Sequence, residues 1–348
     1  MRITDVRAIY PQYRQPLGGW RPRLWQIVVR IETDVGVTGW GYGGGGEAAL
    51  PIVHGHFRAL LLDRRLDSSA AIAAIWDDLY AASIPYGRRG VAIMALSGID
   101  LALWDLLGRA EGAPVYQLLG GLQKERVPAY ATGPDSEWYA ELGFTAHKLP
   151  HRWREEADYD SAVSAAARAR TLFGPDARIM FDCYMSWNAT VTQEMARRLA
   201  EFNIYWFEDV TTPDQLAEQA SLRAAIQPIL LAGGEHEFTH HGFAEIARTA
   251  ALAIWQPDIT WCGGISAGLR ILDLARQSNT PVIPHRGGEV WGLHFIVATD
   301  CANLAERNPG RRDQQPDPLW LDEPAPTAGH LTPTDAPGFG VRVNEALL

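Results

Sequence analysis

Of 348 residues, 47% are hydrophobic and 21% charged, enough for a sizeable core and more chain than one ordinary domain uses. The formal net charge of −10 argues against a nucleic-acid or anionic-membrane partner, since both need a basic face. Cys183, Cys262 and Cys301 stand far apart without a CxxC spacing, so no disulfide framework or zinc cluster is indicated, and reduced thiols in the cytoplasm are expected.

The opening MRITDVRAIYPQY alternates like a strand and lacks the apolar run of a signal peptide. No stretch holds the roughly 18 uninterrupted apolar residues of a membrane span, and a soluble protein is expected. WQIVVRIETDVGVTGWG reads as a hairpin turning near Asp34-Val35-Gly36, where glycine supplies the positive φ. Gly41-Tyr42-Gly43-Gly44-Gly45-Gly46 satisfies GxGxxG but follows an antiparallel hairpin, not the first strand of a βαβ unit. A dinucleotide site is therefore not expected there, and a flexible loop is. Ile93, Leu96, Ile99, Leu103 and Leu107 fall at helical spacing before Gly112-Ala113-Pro114 stops the run. Residues 1 to about 120 thus form an α+β module.

Beyond about residue 126, short apolar strands alternate with helical stretches, the signature of a parallel sheet. The candidate strands are VPAYAT, FTAHKL, RIMFDC, IYWFED, ILLAGG, LAIWQP, PVIPH and HFIVAT. Eight of them predict a closed TIM-type barrel, with helices such as TQEMARRLAEF and SAGLRILDLARQ crossing back over its wall. After about 316 the chain turns rich in proline and glycine, as a tail packing onto the first module would.

Ionisable residues collect at the C-terminal ends of these strands, which in a parallel barrel open onto one face. Asp182, Glu208 and Glu235 lie 26 and 27 residues apart, about one βα unit each, so three carboxylates from successive strands meet. A hard divalent cation would remove their mutual repulsion, and an all-oxygen set suits Mg²⁺ better than zinc; the alternative use of such strand-end carboxylates is to cap the following helices. Glu235-His236-Glu237 leaves Glu237 open as the third ligand instead. Asp258 and His285, on the next two units, can pair so that the carboxylate fixes the imidazole tautomer and leaves the other nitrogen as a base. Alternation along FTAHKL puts Lys148 and His147 on opposite faces; Lys148 is expected inside, stabilising negative charge on the substrate. Tyr42, Arg21 and Arg23, in the cap loops, are expected to reach substrate as well.

TDVGVTGWG, SGIDLALWDLLGRAEGAPVYQLLGG, FDCYMSW, WFED, GGEHEF, QPDITWCGG and PHRGG together give nearly the whole chain a close similarity to the mandelate racemase branch of the enolase superfamily. HKLP, DCYMSW and GGEHEFTHHGF bring it nearest the subgroup of L-rhamnonate dehydratase and related acid-sugar dehydratases. The resemblance implies a modified (β/α)7β barrel over 121–315 and an α+β capping domain over 1–120, completed by the tail 316–348. It also implies Mg²⁺ on Asp182, Glu208 and Glu235, and Asp258/His285 as the base. Glu306, after the last strand, would hydrogen-bond the carboxylate of a small-molecule acid substrate, and the chain would be a homo-oligomer. Two departures stand out: the family's Lys-x-Lys is Lys148-Leu149-Pro150, which removes a racemase's second base, and its His-Gly is His285-Arg286, which makes Arg286 a candidate for substrate contact. Loss of the proton beside a carboxylate with expulsion of the 3-hydroxyl, giving a 2-keto-3-deoxy acid, is the activity implied.

Overall fold

The computed structural model describes residues 1–13 and 17–348. Three antiparallel strands, β1 (Ile3–Ile9), β2 (Ile27–Thr33) and β3 (Thr38–Gly43), form the cap sheet in the order β1-β2-β3. The β2–β3 turn uses Gly36 at φ 77°, a left-handed conformation that costs glycine little.

The glycine run has a structural role. Gly41 and Gly43 lie within β3, and a Cβ on either would collide with the carbonyl of Gly98 or Met94 in the helix Val91–Glu111. Glycine lets helix backbone approach sheet backbone directly, so the expected flexible loop is instead a packed strand leading into a helix at Gly46.

The helix Val91–Glu111 is long and apolar enough to cross a membrane by composition, yet 89% of its apolar window is buried inside the protein. Its buried polar groups explain why. Ser97 accepts from the Gly263 N–H at 2.8 Å, and Asp100 accepts from the Ser266 N–H at 3.1 Å. Asp105 accepts from the N–H groups of Trp40 and Phe339, both at 2.9 Å. The helix therefore ties cap sheet, barrel wall and tail together, every tie satisfying a desolvated group.

Seven parallel strands build the barrel: β4 (Val127–Thr132), β5 (Ala146–Pro150), β6 (Arg178–Asp182), β7 (Ile204–Glu208), β8 (Leu230–Gly233), β9 (Ile254–Trp255) and β10 (Ala305–Arg307). β10 pairs with β4 to close the ring. Between β9 and β10 the segment 281–285 holds the remaining place through bridges Trp255 to Val282 and Asp258 to His285. One expected strand is a helix: all of HFIVAT but its last residue, Thr299, lies within Val290–Ala298, the seventh barrel helix. Every residue of that helix is buried, so it lacks the polar face whose period separates helix from strand. The eighth strand is the short Ala305–Arg307.

In the tail, β11 (Trp320–Leu321) pairs with β13 (Arg342–Val343), and β12 (His330–Leu331) adds antiparallel to β4. Gly338 exchanges backbone hydrogen bonds with Ala113 and Val115 at the end of the long helix.

Candidate active site

Tyr130, Ala146, Met180, Trp206, Ala232, Ile254, Ile283 and Leu304 form one apolar layer inside the barrel, one residue from each of the eight places. Strand side chains alternate, so the residues two positions on also face the axis, nearer the C-terminal mouth. Those include Lys148, Asp182, Glu208, Gln256, His285 and Glu306. A period of two thus lifts a charged ring directly above an apolar plug.

Lys148, 1% exposed, is the hub of that ring. Its ammonium ion-pairs with Glu208, lies 2.8 Å from Glu306 and 3.8 Å from Asp182. Glu208 Oε2 also accepts from Gln256 Nε2 at 2.7 Å and Trp206 Nε1 at 3.0 Å. His147 points the other way, into the helix layer, against Ser136 Oγ at 2.9 Å and Phe173. Burial holds its pKa down at about 4, as suits a neutral packed imidazole.

His285 and Asp258 meet as the spacing suggests. Nδ1 lies 2.8 Å from Asp258 Oδ2, and Nε2 lies 3.2 Å from Glu235 Oε2, in the mouth. Burial opposes ionisation of Asp258, but the His285 hydrogen bond and the Arg286 charge outweigh it and keep the pKa low. Burial likewise disfavours the imidazolium, yet Glu235 and then the Asp258 hydrogen bond raise His285 to about 10. Glu306 sits at about 2 because Lys148, then His285, overcome its desolvation.

Asp182 behaves differently. Burial lifts its carboxyl, Lys148 pulls back, and Glu208 and Glu235 push further, leaving it at about 8; Glu208 is raised too. One lysine does not balance these acids. A divalent cation would supply the missing charge, and a donor set of carboxylate oxygens suits a hard ion. The side chains present fit Mg²⁺. Glu237 lies elsewhere: its buried carboxylate pairs with Arg89 at 3.2 Å and accepts from the Phe238 N–H at 2.8 Å.

Residues 136–347 match the enolase C-terminal domain-like family, and residues 23–120 match the mandelate racemase / muconate lactonizing enzyme N-terminal domain. The chain belongs to the mandelate racemase / muconate lactonizing enzyme family. It is 34% identical over 354 residues to an L-rhamnonate dehydratase of Saccharopolyspora erythraea, covering 98% of this chain and 89% of that protein. It superposes with a TM-score of 0.90 on the crystal structure of rhamnonate dehydratase from Gibberella zeae complexed with Mg, at 31% identity and coverage of 99% and 94%. The 3,6-anhydro-D-galactonate cycloisomerase of Zobellia galactanivorans also matches, with a TM-score of 0.87 at 27% identity, covering 99% and 98%.

In this member of the mandelate racemase / muconate lactonizing enzyme family, the residue after the dyad histidine is held by the cap. Arg286 adopts φ 54°, a left-handed position unfavourable for a side chain. Its guanidinium pairs with Glu289 at 2.6 and 2.8 Å and packs between the rings of Trp25 and Tyr42. Its backbone N–H donates to Glu306 Oε2 at 2.9 Å. Tyr42 is itself buried, its hydroxyl 3.2 Å from that of Tyr13. Arg21 is exposed, stacked over Trp25, and Arg23 pairs with Glu47. Trp25 and Trp20 meet Trp261, whose ring lies 5.6 Å from His285.

Sequence reasoning missed Gln256, Asp209 and His236. Gln256 was within reach of the alternation, two residues beyond the inward Ile254. Asp209 follows Glu208 at φ 46° and is raised well above the usual carboxyl range by burial, with Glu235 and Glu208 adding to it. His236 Nε2 lies 3.3 Å from Glu235 and 3.8 Å from Asp209. Neither sits on the inward face, so no periodicity marks them.

Proposed function

We propose that this chain is a Mg²⁺-dependent dehydratase of an acid sugar, a hydro-lyase that turns an aldonate into a 2-keto-3-deoxy acid. The Asp258–His285 pair, beside Asp182, Glu208 and Glu235 near enough to disfavour one another's ionisation, carries the reading, supported by the likeness to L-rhamnonate dehydratases. Asp182, Glu208 and Glu235 would hold Mg²⁺. When bound, the ion supplies Lewis-acid stabilisation of charge developing on the substrate carboxylate.

Asp258 orients the imidazole through Nδ1 and leaves Nε2 to take the proton from C2. Once Glu235 is engaged as a ligand, the charge that most favours the imidazolium is neutralised, and His285 reaches the neutral form a base needs. Lys148 offsets the negative charge of the enolate. His285 then returns its proton to the departing 3-hydroxyl, which leaves as water, and the enol ketonises. Pro150 stands where a second-strand base would be, so one-face chemistry with a single histidine is favoured over racemisation. Glu306, ionised beside Lys148 and His285, is assigned to the substrate carboxylate, whose negative charge would favour the protonated form that can donate a hydrogen bond to it, and Arg21, Tyr42 and Arg286 to the substrate side of the cap. Residues 1–120 with the tail 316–348 are assigned as cap, and 121–315 as barrel. A homo-oligomer in the cytoplasm completes the proposal, in keeping with three buried free thiols.

The test is a screen of mono- and diacid sugars with Mg²⁺, L-rhamnonate first, for 2-keto product. Product that keeps its hydroxyl while exchanging the C2 hydrogen with solvent deuterium contradicts dehydration.

A further inference from the structure

Gln26 immediately precedes β2, at the cap–barrel junction, and is fully buried. A primary amide is costly to desolvate unless both ends find partners, and both of its partners lie across the junction. Nε2 donates to Thr260 Oγ1 at 3.0 Å, and Oε1 accepts from Trp261 Nε1 at 2.8 Å.

Thr260 is the next link. Its backbone N–H and its hydroxyl both donate to Asp258 Oδ1, at 2.6 and 2.7 Å. Asp258 Oδ2 takes the Nδ1–H of His285 at 2.8 Å. Because Gln26 donates to the Thr260 oxygen, with Arg286 Nη1 as a longer second donor at 3.4 Å, the hydroxyl proton is directed at Asp258. Each donor in such a chain strengthens the next. On its other side Gln26 fixes the indole of Trp261, whose ring lies 5.6 Å from that of His285. One cap side chain therefore reaches the imidazole by two routes.

We propose that Gln26 and Thr260 are positioning residues through which the capping domain sets the orientation of the His285 imidazole, so that the dyad is aligned only when the cap is seated. This rests on the reading of His285 as the base. Neither residue touches the reacting atoms.

The test uses the full-length, Mg²⁺-loaded protein labelled with ¹⁵N-histidine. The hydrogen-bonded Nδ1 proton of His285 is assigned by its disappearance in His285→Asn, and its exchange with solvent is measured in Gln26→Met, Thr260→Val and Thr260→Ser. Loss of one hydrogen bond from the chain should speed exchange about tenfold in Gln26→Met and Thr260→Val, whereas Thr260→Ser, which keeps the hydroxyl, should match wild type. In the same two variants kcat on L-rhamnonate should fall about tenfold or more with KM within about threefold, as for loss of an outer hydrogen-bond partner. A proton that exchanges at the wild-type rate in Gln26→Met, or Thr260→Ser behaving like Thr260→Val, overturns the link. Full turnover by His285→Asn would instead locate the failure in the assignment of the base.

Discussion

Replacing Asp258 by Asn separates orientation from charge at the dyad, because the structure dictates which way the new amide faces. The N–H of Thr260 can only donate, and it points at Asp258 Oδ1 from 2.6 Å. The carboxamide oxygen must occupy that place, and its NH₂ then faces His285 Nδ1. An imidazole met by a donor has to accept at Nδ1, so it carries its proton on Nε2, the nitrogen needed to receive one. The shape of the site barely changes while the base is lost. By analogy with the same exchange in a Ser-His-Asp triad, kcat should fall about 10³–10⁴-fold, or about 4–5.5 kcal/mol of transition-state stabilisation. KM and Mg²⁺ affinity should hold within about threefold, since Asp258 lies outside the proposed ligand set. The assay is steady-state formation of 2-keto product, trapped as its semicarbazone, beside a calorimetric Mg²⁺ titration. An Asp258→Asn enzyme within tenfold of wild type would refute the tautomer argument. A variant that loses Mg²⁺ binding in parallel would show that Asp258 serves the metal instead.

Chelation with EDTA should abolish turnover and lower the melting temperature, and added Mg²⁺ should restore both, because an ion that binds only the folded site stabilises it by mass action; activity that persists in EDTA contradicts the proposed ligands. Lys148→Met should destabilise the fold by about 3–5 kcal/mol by stranding Glu208 and Glu306 as buried charges without their partner, and calorimetric melting at wild-type temperature would disprove that pairing. Asp100 gives a pH-dependent test: burial, against the hydrogen bonds from Ser266, lifts its folded pKa to about 7 from the ordinary aspartate value of 3.8. The folded state therefore binds the extra proton between those values, so the Asp100 contribution to stability is full below about pH 4 and is lost as pH rises through about 7. Melting curves across that window should show wild type losing ground to Asp100→Asn as pH increases; a constant difference between the two proteins would contradict it.

Two repeats made much of the site legible. The spacing of about one βα unit between Asp182, Glu208, Glu235, Asp258 and His285 reveals that they share a barrel face, and alternation along β5 puts Lys148 inside and His147 outside. Gln256 obeys the same alternation and was readable in principle. What escaped were elements whose identity depends on surroundings. HFIVAT is buried at every position, His294 and Thr299 included, and an element buried all round carries no period to read. The true last strand, Ala305–Arg307, is three residues long, too short for any pattern. The glycines of GYGGGG resemble a phosphate loop in sequence because both uses need backbone without a Cβ; the preceding hairpin argues against that use, but the nearness of the Gly98 and Met94 carbonyls is what shows why a Cβ is excluded.

By itself, then, the sequence determined the parallel barrel, its charged mouth and the residue types that can bind a hard cation and move a proton, because these follow from local periodicity and regular spacing along the chain. Tertiary structure alone decided which acid stands apart, with Glu237 drawn off by Arg89, and how the cap reaches the dyad. Gln26 and Thr260 are 234 positions apart, and no local pattern encodes a hydrogen bond made by two domains closing on each other.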